Sequence, residues 1–187
     1  MRDGIDDELM ALAGRGDKAA FARLVHRHLT RAGAIAGRIV GNRSDAEEIV
    51  QEAFLRAWLK APDWRPETAA GGAQFSTWFY RVLVNLCLDR KRRPAFAPIE
   101  AAGEVVDPQP GGYETVKRAE IGRRVAGAVA GLPERQRAAL TLCHYEGLSN
   151  IDAAAILDIS VGALESLLVR ARRSLREALS DLAPEPG

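Results

Sequence analysis

The residues best equipped for chemistry form two clusters of basic side chains, each at the end of a helical pattern. In FSTWFYRVLVNLCLDRKRR (residues 75–93), Trp78, Phe79 and Tyr80 precede Arg90, Lys91, Arg92 and Arg93. Single-stranded nucleic acid requires that pairing, with π faces for stacking and cations for the backbone. Three consecutive aromatics cannot all point inward from one helix, and each taken alone fits a core or half-core position better than a base platform. Asn85 sits within an apolar run, where its amide either reads a base edge or is satisfied inside the protein by the preceding loop. In the second cluster, Arg170, Arg172, Arg173 and Arg176 accompany the apolar positions Leu164, Leu167, Leu168 and Ala171. Placed on the second helix of a helix-turn-helix, such arginines grip phosphates beside base-reading positions; the alternative is a solvated basic face. Near the start of that helix, Glu165 and Ser166 point outward. Glu165 either accepts from a cytosine amino group or weakens binding.

Catalytic patterns are poor. No nucleophile elbow, phosphate loop or acid pair at useful spacing is present. Of the three histidines, His26 and His28 fall on different helix faces and His144 is remote, so no metal site is expected. The two cysteines, Cys87 and Cys143, are too far apart in sequence to suggest a zinc cage or disulfide framework and read as buried thiols. No cofactor, enzymatic activity or small-molecule substrate is expected.

The elements that must carry these side chains are helical. The chain has 187 residues, 47% hydrophobic and 27% charged, a globular composition that excludes a disordered or fibrous chain. Asp6 or Asp7 can cap a first short helix through Leu12, and Asp17 a second with Phe21, Leu24, Val25 and Leu29 on one face. A break at residues 41–44 precedes DAEEIVQEAFLRAWLK. Its Ala46, Ile49, Val50, Ala53, Phe54, Ala57 and Trp58 form a full amphipathic stripe, with Ser44 or Asp45 as cap. The opposite face offers acids beside exposed Leu55 and Leu59, a combination that suits a protein partner. A Pro- and Gly-rich loop then leads to the aromatic–basic helix, with Ser76 as its expected cap. After Pro94–Gly112, helices are expected at 114–130, with Val116, Ile121, Val125 and Val129 inward, and from Pro133 to Gly147. A short helix to Leu157, the turn Asp158-Ile159-Ser160 and a helix from Val161 to Leu179, capped by Ser160, complete a helix-turn-helix. The fold class is all-α, in two small domains: residues 1–93, a flexible acidic Pro/Gly linker over 94–112, and residues 113–187.

The net charge of +1 hides this division. Residues 1–93 hold 16 bases against 12 acids, 94–112 no base and three acids, and 113–187 ten of each. No apolar run approaches the roughly 18 residues of a membrane helix, and the first residues lack a basic, apolar leader. The chain reads as cytoplasmic.

Taken in order, these motifs resemble the extracytoplasmic-function (ECF) group of bacterial sigma factors, from about Phe21 to Leu179. The resemblance implies a subunit that binds core RNA polymerase and directs it to promoters. It places polymerase docking on Asp45, Glu48, Gln51, Glu52 and Leu55. It places −10 promoter recognition and melting on Trp64, Phe75, Trp78, Arg81, Asn85, Arg90, Lys91 and Arg92. Contact with the −35 element falls to Ser160, Glu165, Ser166, Val169, Arg170, Arg172 and Arg173. It further implies a monomer, promoter DNA as partner, and an anti-sigma factor, often membrane-bound in this group, that covers both domains. Glu165 and Leu167 depart from the residues common in the group. Two other functions use parts of the pattern: a free-standing helix-turn-helix regulator, which leaves the N-terminal motifs unexplained, and a sigma mimic that sequesters an anti-sigma factor.

Overall fold

The computed structural model describes residues 3–65, 74–92 and 113–182, and every regular element among them is helical. Helix α1 (Asp3–Gly14) corrects the expected cap. Both Asp6 and Asp7 lie inside it, and Asp6 is buried at 2% exposure because it has partners in the core. At the helix end, a Cβ on Gly14 would collide with the carbonyl of Ala61, so only glycine allows this approach. Asp17 then caps α2 (Lys18–Val40), accepting from Ala20 N at 3.0 Å. Helix α2 turns Leu24, Ala32, Ile35, Ala36 and Ile39 inward. Leu29, grouped with this face by its type, is half exposed because five residues rotate it about 140° from Leu24.

Gly41, in the left-handed region at φ 73°, stops α2 and donates to the Gly37 carbonyl at 2.9 Å. Helix α3 (Arg43–Lys60) is capped by Asn42, whose Oδ1 accepts from Asp45 N at 3.1 Å. Ser44 and Asp45, the expected caps, instead occupy the first turn. The stripe from Ala46 to Ala57 is buried, and Trp58 meets Phe21 edge-on at 5.0 Å. A 3₁₀ turn (Ala61–Asp63) leads to Trp64.

Helix α4 (Phe75–Arg92) starts one residue before the expected cap Ser76, with the Gln74 carbonyl accepting from Trp78 N. The acid serving its first turn comes from α1: Asp7 Oδ1 accepts from Phe75 N at 3.2 Å. Loop residues 66–73 and the Pro94–Gly112 segment lie outside the described residues.

In the C-terminal part, α5 (Tyr113–Ala130) buries Val129 fully and Val125 partly. Ile121, expected inside, is exposed, because the apolar contacts of α5 gather at its C-terminal end around Leu132, Leu140 and Ala171; Val116 lies outside the described side chains. Pro133 caps α6 (Glu134–Leu140) from extended backbone and is not its first residue. The single helix expected to Gly147 widens at Thr141–Tyr145 into a π turn, closed by Glu146 N donating to the Thr141 carbonyl at 3.0 Å. Helix α7 (Asn150–Leu157), capped by Ser149, and α8 (Val161–Ala178), capped by Ser160 Oγ accepting from Ala163 N at 3.2 Å, form the helix-turn-helix. Asp158 makes the turn at φ 56°.

Helix α2 is packed by α1, α3 and α4, and α7 lies across α4. One apolar core therefore runs from Phe79, Leu83 and Cys87 into Ala138, Leu142, Ala153 and Leu164, joining both parts of the chain. Trp64, Phe75, Trp78 and Phe79 form an aromatic cluster at the entry of α4.

Candidate nucleic-acid and partner interfaces

Burial of the stripe on α3 forces its other face outward. Glu48, Gln51, Leu55 and Leu59 are exposed there, the two leucines at 52% and 66%, while Asp45 and Glu52 are partly covered. Two acids on this helix are tied locally, Glu52 to Arg56 and Glu47 to Arg43, each at 2.9 Å. Beside this face a groove of about 590 Å³ runs between α2 and α3, floored by Gly33, Gly37 and Val50 and bounded by Gln51.

On α4, Trp78, Arg81 and Asn85 share one face, being spaced i, i+3, i+7. Asn85 is exposed, not a satisfied internal amide, and Trp78 is half-buried. Two of the expected DNA-facing residues are corrected. Trp64 and Phe75 are core side chains, 7% and 0% exposed, because Asp7 holds the indole Nε1 at 3.2 Å and the two rings pack edge-on at 5.8 Å. Arg81 is engaged by the helix-turn-helix, with its side chain 40% exposed. Its Nη2 and Nε donate to the Ala155 carbonyl at 2.7 and 3.0 Å, and Nη1 lies 3.7 Å from Asp158. Arg90 points to another face, donating to Asp45 and Glu48. The side chains of Lys91 and Arg92 lie outside the described residues.

On α8, Ser166, Val169, Arg170 and Arg173 form one exposed strip, with Val169 at 62%. Glu165 and Arg172 lie about 100° to its side. Glu165 accepts from Asn150 of α7 at 3.4 Å, and Ser166 Oγ donates to the Gly162 carbonyl. The cap residue Ser160 is also exposed. Cys87 is fully buried, and burial pushes its thiol up to about 12. Cys143, expected to be buried, is only half so. Burial raises its thiol, against the opposing field of Arg172.

Two polar clusters escaped the sequence reading. Asp6 accepts from Arg27 Nε at 2.6 Å and from His28 Nε2 at 2.9 Å, and His28 Nδ1 sits 3.0 Å from Tyr80 Oη. Burial works to raise the Asp6 carboxyl, but the bonds and charges of His28 and Arg27 together hold it below its ordinary value; burial pushes the Tyr80 phenol up to about 12. The second cluster joins the two parts of the chain. Glu146 accepts from Arg31 Nε at 2.9 Å and Arg38 Nη1 at 3.4 Å, and Arg38 lies 4.8 Å over the Tyr145 ring. Among the described residues no cluster of His, Cys, Asp or Glu could hold a metal, and no helix is long and apolar enough to cross a membrane.

Comparison with known proteins decides the family. Residues 24–95 match the Sigma-70 region 2 model and residues 122–175 the Sigma-70 region 4 model. The chain is 31% identical to the ECF RNA polymerase sigma factor SigW of Bacillus subtilis over 90% of its own length and 93% of that protein. The chain belongs to the ECF sigma factors. These are transcription-initiation factors without catalytic activity of their own. The chain is also 33% identical to the ECF sigma factor SigE of Mycolicibacterium smegmatis, covering 91% of itself and 66% of that longer protein. Among solved structures it is similar to CnrH in complex with the cytosolic domain of CnrY, at 29% identity and TM-score 0.66, covering 96% of this chain and 99% of that one. It shares its fold with the sigma factor RpoE of Bartonella quintana, solved with the anti-sigma factor NepR, at 24% identity and TM-score 0.63 over 86% of this chain and 96% of that one. In this sigma factor the face of α8 is open, whereas Arg81 on α4 is bound to α7 through the Ala155 carbonyl.

Proposed function

We propose that this sigma factor docks on core RNA polymerase through the exposed face of α3 and selects promoters with two nucleic-acid surfaces. Residues 1–93 form the docking and −10 domain, 94–112 the linker and 113–187 the −35 domain. The observation that carries the reading is the combination, on separate helices of one chain, of three distinct surfaces. The α3 face is acidic and apolar, with Glu48, Gln51, Glu52 and Leu55, and suits a partner that is basic and apolar in turn. The α4 face joins Trp78, Arg81 and Asn85, a stacking ring, a cation and an amide, the set a displaced single strand requires. The α8 strip presents Ser166, Val169, Arg170 and Arg173 in the position from which a second helix enters the major groove. Trp64 and Phe75 serve this reading as the floor beneath Trp78, and Arg172 and Glu165 as flanking groups.

An anti-sigma partner follows the pattern of the neighbouring fold solved with NepR, and the cytoplasm is the compartment in which polymerase is met. Run-off transcription with bacterial core polymerase tests the proposal. Addition of the chain should produce initiation on its cognate promoters, Asn85→Ala should slow strand opening more than duplex binding, and Arg170→Ala should weaken upstream duplex binding about fivefold or more, since a base-directed arginine contributes about 1–3 kcal/mol. Absence of initiation on every promoter tried, with folded protein, would refute it.

A further inference from the structure

Arg90 stands between two surfaces that the proposed function treats separately. It belongs to α4, at the start of the basic end, yet its guanidinium turns back onto α3. Nη2 donates at 2.6 Å to both Asp45 Oδ1 and Glu48 Oε2, and Nε donates to Asp45 Oδ1 at 3.1 Å. Two other acids on this helix pair locally, Glu47 with Arg43 and Glu52 with Arg56. Arg90 therefore links the two helices with charge. The link is dissociable: the arginine is about one-third exposed and Glu48 is 58% exposed, so water screens the pairs and can replace either acid.

We infer that Arg90 is a shared positioning residue, held by Asp45 and Glu48 in the free chain and exchanged onto backbone phosphate when a basic partner surface takes those two acids. This rests on the proposed assignment of α3 to polymerase and α4 to DNA. The two acids attract a basic surface only to the extent that Arg90 releases them, and Arg90 grips phosphate only to the extent that the acids release it. Linkage makes the effect reciprocal: polymerase strengthens strand capture by the factor by which captured strand strengthens polymerase binding. For two part-exposed ion pairs that factor is about three- to tenfold.

The test is a cycle of variants titrated with bacterial core RNA polymerase without DNA: wild type, Arg90→Gln, the pair Asp45→Asn with Glu48→Gln, and all three changes together. Arg90→Gln should tighten core binding about threefold, and the gain should vanish once both acids are amides. Glu47→Gln, which removes one acid away from Arg90, controls for bulk charge. In the assembled holoenzyme, Arg90→Gln should reduce the salt slope of binding to a single-stranded −10 oligonucleotide by about 0.7, the loss of one phosphate contact, and Arg90→Lys should restore it. A merely structural role would leave that slope unchanged. Melting curves establish that each variant is folded; if Arg90→Gln does not fold, Arg90→Lys, which keeps the charge but loses the bridging fork, takes its place with a smaller gain expected. Core binding that Arg90→Gln weakens, leaves unchanged, or tightens equally in the amide background overturns the inference. Failure of wild type to bind core at all overturns the proposed docking face itself.

Discussion

Replacing Glu146 by Ala should release the C-terminal helices from α2 and α4. The Glu146 carboxylate is 12% exposed and accepts from two arginines, each about 40% exposed, at 2.9 and 3.4 Å. Exposed pairs contribute about 0.2–1 kcal/mol each. The burial of the acid places these toward the upper end, and removing it leaves Arg31 without its carboxylate partner at a packed seam. The expected loss is about 1–2 kcal/mol, a five- to thirtyfold shift in the ratio of closed to open forms. The apolar packing of α7 on α4 and the bonds of Arg81 to Ala155 remain, so the result is an altered balance and not an unfolded chain. Small-angle scattering reads this directly. A single compact body of this length has a radius of gyration of about 16 Å, and Glu146→Ala should raise the average by several ångströms. Raising salt from about 0.05 to 1 M, which shortens the screening length to about 3 Å, should move wild type in the same direction. In a double-mutant cycle, Arg31→Ala and Glu146→Ala should be coupled by about 1 kcal/mol. Strict additivity, with a radius indifferent to salt in every variant, would show that charge does not hold the seam. In the closed form Arg81 is bound to the Ala155 carbonyl, so on the proposed −10 role of α4 Glu146→Ala should strengthen single-strand binding by the free chain.

Three further outcomes follow from the interior. Asp6→Asn removes a buried carboxylate from Arg27 and His28 and should cost about 3 kcal/mol in urea unfolding. Because the folded Asp6 carboxyl lies below its ordinary value of 3.8, its stabilisation is complete above that value. It should fade as pH falls through the lower folded value, so wild type should lose stability in acid over a range where the Asn variant changes less. Gly14→Ala should cost about 1–3 kcal/mol, since the new methyl meets backbone and not a movable side chain; a variant as stable as wild type would mean that α1 shifts freely against Ala61. Cys87, buried with its thiol pushed up to about 12, should resist iodoacetamide in the native state while half-buried Cys143 reacts slowly, as peptide mapping would read.

Features encoded by near neighbours were legible in the sequence. Asp17 and Ser160 cap the helices assigned to them, and the α3 stripe is buried as its period requires. Exposed Leu55 and Leu59 follow from the same period, because a helix that buries one face must present the other. Caps went astray where a competing donor or acceptor stood one or two residues away, as with Asn42 ahead of Ser44. The π turn at Thr141–Tyr145 also escaped, since one extra residue in a turn disrupts the 3.6-residue count on which periodicity relies.

By itself, then, the sequence determined the helices, the helix-turn-helix and the sigma-like order of motifs, because caps and amphipathic stripes act over three to eight residues. Only the tertiary structure decided which charged groups meet. Asp7 serves Phe75, Arg90 bridges Asp45 and Glu48, and Glu146 holds Arg31 across 115 positions. A charged side chain carries no periodic signature of its distant partner, and the same arginine can face solvent, phosphate or carboxylate. The packing of α7 on α4 and of α4 on α3 fixes which of these Arg81 and Arg90 find, and so separates an arginine of α4 that α7 engages from the open strip on α8.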